Sequence, residues 1–182
     1  MNAASESKSH PRLQHALAGL QAGVAGSVIM LVWLMVGSFW VRHAVWLVPN
    51  LLSTTFYGSN AYTGRFTHTS WVGLALIIAI YGILGVVWGL IWPAERKAWR
   101  RIAGMLFGLL AYFILFDFVW KHVNPLVTLY APTRELQAGH ILWGLTLART
   151  PVYSRRIAAG SAFDPPSEGD QVHEVRTGEV IR

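Results

Sequence analysis

The sequence has no cysteine and very little charge. Without a thiol there is no disulfide, no thiolate nucleophile and no cysteine-ligated zinc or iron–sulfur centre, and the redox compartment is left open. Charged residues make up 13% of the chain, about half the share of roughly 25% typical of soluble domains. Also missing are a P-loop, a GxSxG elbow and an HExxH pair, so no phosphate cradle, serine-hydrolase elbow or zincin helix is encoded. No enzymatic activity and no cofactor is expected.

What the chain does have is apolar sequence, 53% of 182 residues, gathered into long blocks and not spread as amphipathic stripes. Blocks of this kind point to a bilayer as solvent. The nine Trp lie mostly near block ends, as interfacial belts require. A net charge of +6 would suggest nucleic acid on a soluble protein. Here the cations flank apolar blocks and no nucleic-acid-binding signature appears, so the expected partner is the lipid bilayer and not nucleic acid.

Taken in order, residues 1–12 read as a disordered cytoplasmic tail. The first block, about 13–39, is too long for the apolar core of a signal peptide and no small-residue cleavage site follows it, so it reads as a retained span. Gly19, Gly23 and Ser27 repeat every four residues, as do Ala18, Ala22 and Gly26, spacings that let a neighbouring helix approach closely. Between Trp40 and Ser70 the apolar run is too short to span. Pro49 disturbs any helix there, and Thr54 to Asn60 reads as interfacial loop. A second span covers about 71–92, with Gly82, Gly85 and Gly89 on one face and Pro93 as its stop. A basic connection leads to a third span, about 102–120, opened by Gly104 and Gly108. Leu126 to Thr133 reads as another surface segment. A fourth, short span covers about 134–150, and 152–182 read as a disordered cytoplasmic tail. The domain is thus 13–151, all-α: four transmembrane helices arranged as two helical hairpins with interfacial outer segments.

Lys and Arg set the orientation. Lys8, Arg12, Arg96, Lys97, Arg100, Arg101, Arg149, Arg155 and Arg156 gather on one side; Arg42, Arg65, Lys121 and Arg134 lie on the other. The richer side is assigned to the cytoplasm, with both termini there, in a bacterial inner membrane.

The halves resemble each other. Phe39-Trp40-Val41-Arg42-His43 aligns with Phe118-Val119-Trp120-Lys121-His122, each followed by a Pro/Asn pair, and Tyr81-x-x-x-Gly85 matches His140-x-x-x-Gly144. Two hairpins of the same orientation would form a parallel repeat.

Polar chemistry concentrates in Phe116 to Pro125. Asp117 lies in an apolar context, where an ionisable group usually marks a function or a partner. Its functional reading is a proton- or cation-binding carboxylate; its structural reading is a local pair with Lys121, four residues on along the same helix face. His140 falls at similar depth in the fourth span, close enough for an Asp117–His140 relay, or else bonds a carbonyl or hydroxyl of a neighbouring helix. Asp117, Lys121, His122 and His140 are therefore the candidate polar or proton site. A haem bound by His140 with His122 or His43, or a metal on Asp117, His122, Glu135 and His140, lacks a supporting motif. Gly19, Gly23, Gly26, Gly82, Gly85, Gly89, Gly104 and Gly108 are the candidate packing residues.

The pattern Trp46-x-x-Pro49-Asn50-Leu51-Leu52-x-Thr54-x-Phe56-Tyr57-Gly58, with Trp120-Lys121-x-x-Asn124-Pro125-Leu126 and His140-x-x-x-Gly144, resembles uncharacterised bacterial four-helix membrane proteins of the YagU-like kind over roughly Gln14 to Pro151. The resemblance implies a polytopic inner-membrane protein and carries no catalytic residues. Three function classes are open: a non-enzymatic protein that packs with itself or with other membrane subunits, an oligomeric proton or cation conduit or small transporter using Asp117 and His140, and a haem, quinone or metal protein near the periplasmic face.

Overall fold

The computed structural model describes residues 11–91 and 97–161, and every regular element among them is helical. Expectations for residues 1–10, for the connection 92–96 and for the tail beyond 161 lie outside the described residues.

Helix α1 (Pro11–Arg42) begins on a proline, tolerated in a first turn because its missing N–H would have no intrahelical partner there. It is apolar all round, but its two faces differ in size. Ala18, Ala22, Met30 and Leu34 are buried, whereas the branched Val28, Val32 and Val36 are about half exposed. Small residues line the inner face only in the first half, Ala18, Ala22 and Ser27, and apolar residues outside suit a helix in lipid, where outward hydrophobicity costs nothing. The helix closes on His43, which takes a left-handed conformation (φ 52°) while its N–H bonds the Phe39 carbonyl at 2.9 Å.

Where Pro49 was expected to disturb any helix and Thr54 to Asn60 to form a loop, the chain folds as α2 (Leu47–Tyr57). Pro49 falls in the first turn, so it starts this helix without breaking it. Leu47 to Thr54 are buried, and the Ser53 and Thr54 hydroxyls satisfy themselves on the Asn50 and Leu51 carbonyls. Gly58, at φ 68°, ends the helix, and a single 3₁₀ turn follows (Ser59–Ala61). Asn50, fully buried, knits this connection: its Nδ2 donates to the Thr63 and Arg65 carbonyls (2.7 and 2.8 Å), and its Oδ1 accepts from Ser70 (2.5 Å).

Helix α3 (His68–Ile91) is capped by Ser70, whose hydroxyl accepts the Thr67 N–H at 3.0 Å. Helix α4 (Lys97–Phe113) runs into a π turn (Ile114–Val119) and a last α turn, α5 (Trp120–Val123). Asn124 caps the short α6 (Pro125–Tyr130), where a surface segment was expected, and its Nδ2 reaches Thr54 and Thr55 of α2 at 2.8 and 3.1 Å. Helix α7 (Thr133–Leu147) is followed by a turn and by α8 (Thr150–Ser161), so helix continues ten residues into the stretch read as tail.

Three rods are long and apolar enough to cross a membrane: Arg12–Arg42, His68–Ile91 and Ala98–Val123. At 15 residues, α7 spans only about 22 Å, less than a hydrocarbon core of roughly 30 Å. Helix α1 is the organising element. It packs against α3 on one side and α7 on the other; α4 flanks α7, and α2 lies on α3. Helices α3 and α4 meet through bulky rings, Trp88 against Phe107 with centroids 5.2 Å apart.

Candidate functional site

Two glycine seams set the geometry. On α1 and α3, a Cβ added to Gly19 would overlap the Gly85 carbonyl, and one on Gly23 would overlap the Tyr81 carbonyl. Across α4 and α7, Gly104 meets the Gly144 carbonyl in the same way and Gly108 the His140 carbonyl. Backbones this close require the absence of a side chain. Gly89 faces the His15 carbonyl and Gly26 faces Trp143 and Thr146, whereas Gly82 meets only the side chains of Leu20 and Val24. The two seams share one register: Gly85 and Gly144 each lie four residues after the partner residue of the other contact, Tyr81 and His140.

Those two partner residues meet at the centre of the bundle. The Tyr81 hydroxyl lies 2.7 Å from His140 Nε2, and His140 Nδ1 lies 2.7 Å from the Leu136 carbonyl. A carbonyl only accepts, so Nδ1 carries the proton; in the neutral ring Nε2 is then the acceptor and Tyr81 the donor. His140 is completely buried. The rings of Tyr81, Tyr112 and Phe116 stand edge-on around the imidazole, with centroids at 5.3, 5.2 and 5.9 Å. Trp143 packs on Tyr81 and donates its Nε1–H to the Gly23 carbonyl at 3.1 Å, while Trp88 donates to the Leu147 carbonyl, also at 3.1 Å. Indole donors are thus used on backbone acceptors across helices. Beside the pair lies a narrow apolar cavity of about 20 Å³ walled by Met30, Leu34, Ile77, Tyr81, Phe116 and Leu136, enough for one water-sized group.

The other candidate polar residues lie elsewhere. Asp117 and Lys121 are exposed, and the imidazole that the sequence offered to Asp117 is engaged by Tyr81. The reason is rotational. Gly108 faces α7, and Asp117, nine residues on, falls about 180° round the helix, so Leu115 and Phe116 stay in the core while Asp117 and Phe118 point outward. His122 is exposed, lies tilted against the Phe118 ring with centroids 5.3 Å apart and bonds the Phe118 carbonyl through Nδ1 at 2.7 Å. His122 and His140 therefore occupy different environments. Among the described residues, no group of three or more His, Asp or Glu is placed to hold a metal ion.

Tyr81 is the residue that sequence reasoning left without a role. Its signal was its alignment with His140 four residues before a glycine; the geometry makes the aligned residues partners. The aligned ends of the halves diverge. Gly23 precedes Phe39 by 16 residues and Gly108 precedes Phe118 by 10 (39 − 23 and 118 − 108). Val41 is accordingly exposed and the residue aligned with it, Trp120, buried.

No protein-family model, curated protein or solved structure matches the chain.

Proposed function

We propose that the chain is a multi-pass inner-membrane protein with a non-enzymatic role, an accessory or packing subunit that associates with itself or with other membrane subunits. Helix α7 serves as a fourth membrane-embedded helix, giving two hairpins, α1–α3 and α4–α7, with both termini cytoplasmic. The observation that carries this reading is the state of His140. Both of its ring nitrogens are satisfied inside the protein, by a tyrosine hydroxyl and a backbone carbonyl, within a shell of aromatic rings. A group held this way fastens one hairpin to the other. The equal register of the two glycine seams favours descent of the hairpins from one duplicated unit, and the YagU-like resemblance is in keeping with such a protein.

Affinity purification from native membranes tests the proposal. A stoichiometric partner or a defined homo-oligomer is the expected result. A monomer that drives proton or cation flux in proteoliposomes would overturn it.

One observation favours a second reading, an oligomeric proton or cation conduit. Asp117 sits on a π turn, a feature frequent at functional sites, and faces outward, where a neighbouring copy would meet it. On that reading Asp117→Asn abolishes flux in proteoliposomes. Unchanged flux in Asp117→Asn and His140→Ala removes it.

A further inference from the structure

The rod formed by α4, its π turn and α5 packs one side against α7 and leaves the opposite side uncovered. Trp99, Ile102, Leu106, Leu110 and Phe113 recur at spacings of three and four residues, so they form one stripe along that side. Each is about half exposed. Asp117 and Lys121 continue the stripe toward α5 and are exposed as well.

Lipid alone accounts for the apolar part of this face but not for its charges. Ionisable groups within a span almost always face the interior of a bundle, and Asp117 faces away from its own. Gly108 is level with the His140 carbonyl. With the bilayer centred on the Tyr81–His140 pair, Asp117 lies nine residues, about 13 Å, beyond that level, inside a hydrocarbon half-thickness of about 15 Å. A carboxylate on a single methylene cannot snorkel out as the long Lys121 side chain can. The intrahelical pair expected from the spacing is not formed: among the described residues no ion pair engages Asp117 or Lys121. Acid and base thus stand on adjacent turns of one face. The outward faces of α1 and α3 have no such feature, since residues 11–91 hold no Asp or Glu.

Opposite charges on adjacent turns of one face are self-complementary. Two copies inserted in one membrane share an orientation, so a two-fold axis along the membrane normal sets their α4 rods side by side and parallel. Each Asp117 then lies one turn from Lys121 of the partner subunit, and symmetry makes the pair twice. We propose that a second copy of this chain covers the stripe, with the side chains from Trp99 to Phe113 packed rod against rod and Asp117 of each copy paired with Lys121 of the partner subunit. The proposal rests on the reading of the chain as a self-associating membrane protein and names the face and the charge pair that such association uses.

Because the chain has no cysteine, single cysteines report the contact in native membranes. Leu110→Cys and Phe113→Cys should form disulfide-linked dimers on mild oxidation. Ile83→Cys, exposed on the outward face of α3, should not. In the Leu110→Cys background, Asp117→Lys sets lysine against lysine and should lower the dimer yield by about tenfold or more. Adding Lys121→Asp restores opposite charges and should restore the yield, which a merely misfolded variant would not do. The comparison of cysteine positions stands even where a charge variant fails to fold. Dimers from Ile83→Cys with none from either stripe position would overturn the assigned face and leave self-association standing. Stripe dimers whose yield ignores both charge changes would overturn the Asp117–Lys121 pairing. No dimer from any position, with a monomer on purification, would overturn the self-association reading and this proposal together.

Discussion

The Tyr81 hydroxyl and His140 Nε2 lie 2.7 Å apart, and each residue stands in the same place in its own glycine seam. The carbonyl of Tyr81 rests on Gly23 and that of His140 on Gly108. The backbone of each residue therefore holds its own helix pair together, α1 with α3 or α4 with α7, while its side chain joins the other pair.

Tyr81→Phe removes the donor and leaves a buried imidazole nitrogen unsatisfied. The expected loss is about 1–2 kcal/mol, above the mean of about 0.6 for hydrogen bonds between membrane helices because the acceptor has no water to turn to. Pairing Tyr81→Phe with His140→Phe should cost less than the sum of the two single changes. Equilibrium unfolding in mixed micelles measures the coupling; strict additivity would show that the bond contributes nothing.

Gly85 and Gly82 lie one turn apart on α3, yet alanine should act oppositely at the two. At Gly85 the new methyl meets the Gly19 carbonyl and the Gly23 Cα, which are backbone and cannot give way. The helices must separate, at about 1–3 kcal/mol. At Gly82 the nearest atoms are side-chain methyls of Leu20 and Val24 at 3.2 and 3.3 Å. There the better helix propensity of alanine, roughly 0.5–1 kcal/mol, should offset the crowding. Melting temperatures of the two variants in one detergent decide the matter.

Asn50→Leu keeps a side chain of similar size and removes donors and acceptor together. The Thr63 and Arg65 carbonyls lose the Asn50 donor, and the Ser70 hydroxyl loses its acceptor while keeping the Thr67 N–H. Loss of this network should cost more than about 2 kcal/mol. It should also open residues 59–66 to protease in reconstituted vesicles while α1 and α3 stay protected. An unchanged cleavage pattern would show that the connection is held by other contacts.

The cysteine-free chain is a ready background for topology. Ser59→Cys should react with a membrane-impermeant maleimide in intact spheroplasts, and Ser154→Cys only after lysis. Labelling of both from outside would refute the proposed orientation.

The long helices were legible because lipid asks for one property, uninterrupted apolar length, and composition alone reports it. The packing glycines were legible for a related reason, since a helix that must touch another backbone repeats its small residues every four positions. Pro49 misled because its effect depends on whether a turn precedes it: three residues into a helix it is compatible, deeper it is disruptive. Asp117 misled because equal depth does not mean a shared face: Gly108 turns its side of the helix to His140, and Asp117, nine residues on, lies about 180° away.

The sequence by itself determined that this protein is helical, apolar and glycine-seamed, since these follow from residue type and local spacing. Tertiary structure decided which polar groups meet. Asn50 reaches Thr63 and Ser70, Asn124 reaches Thr54, and His140 bonds Tyr81 and not Asp117. Hydrogen bonds need atoms within about 3 Å at a suitable angle, and the rotation and height that bring Tyr81 to His140 are set by how two glycine seams stack, which spacing along one chain does not encode.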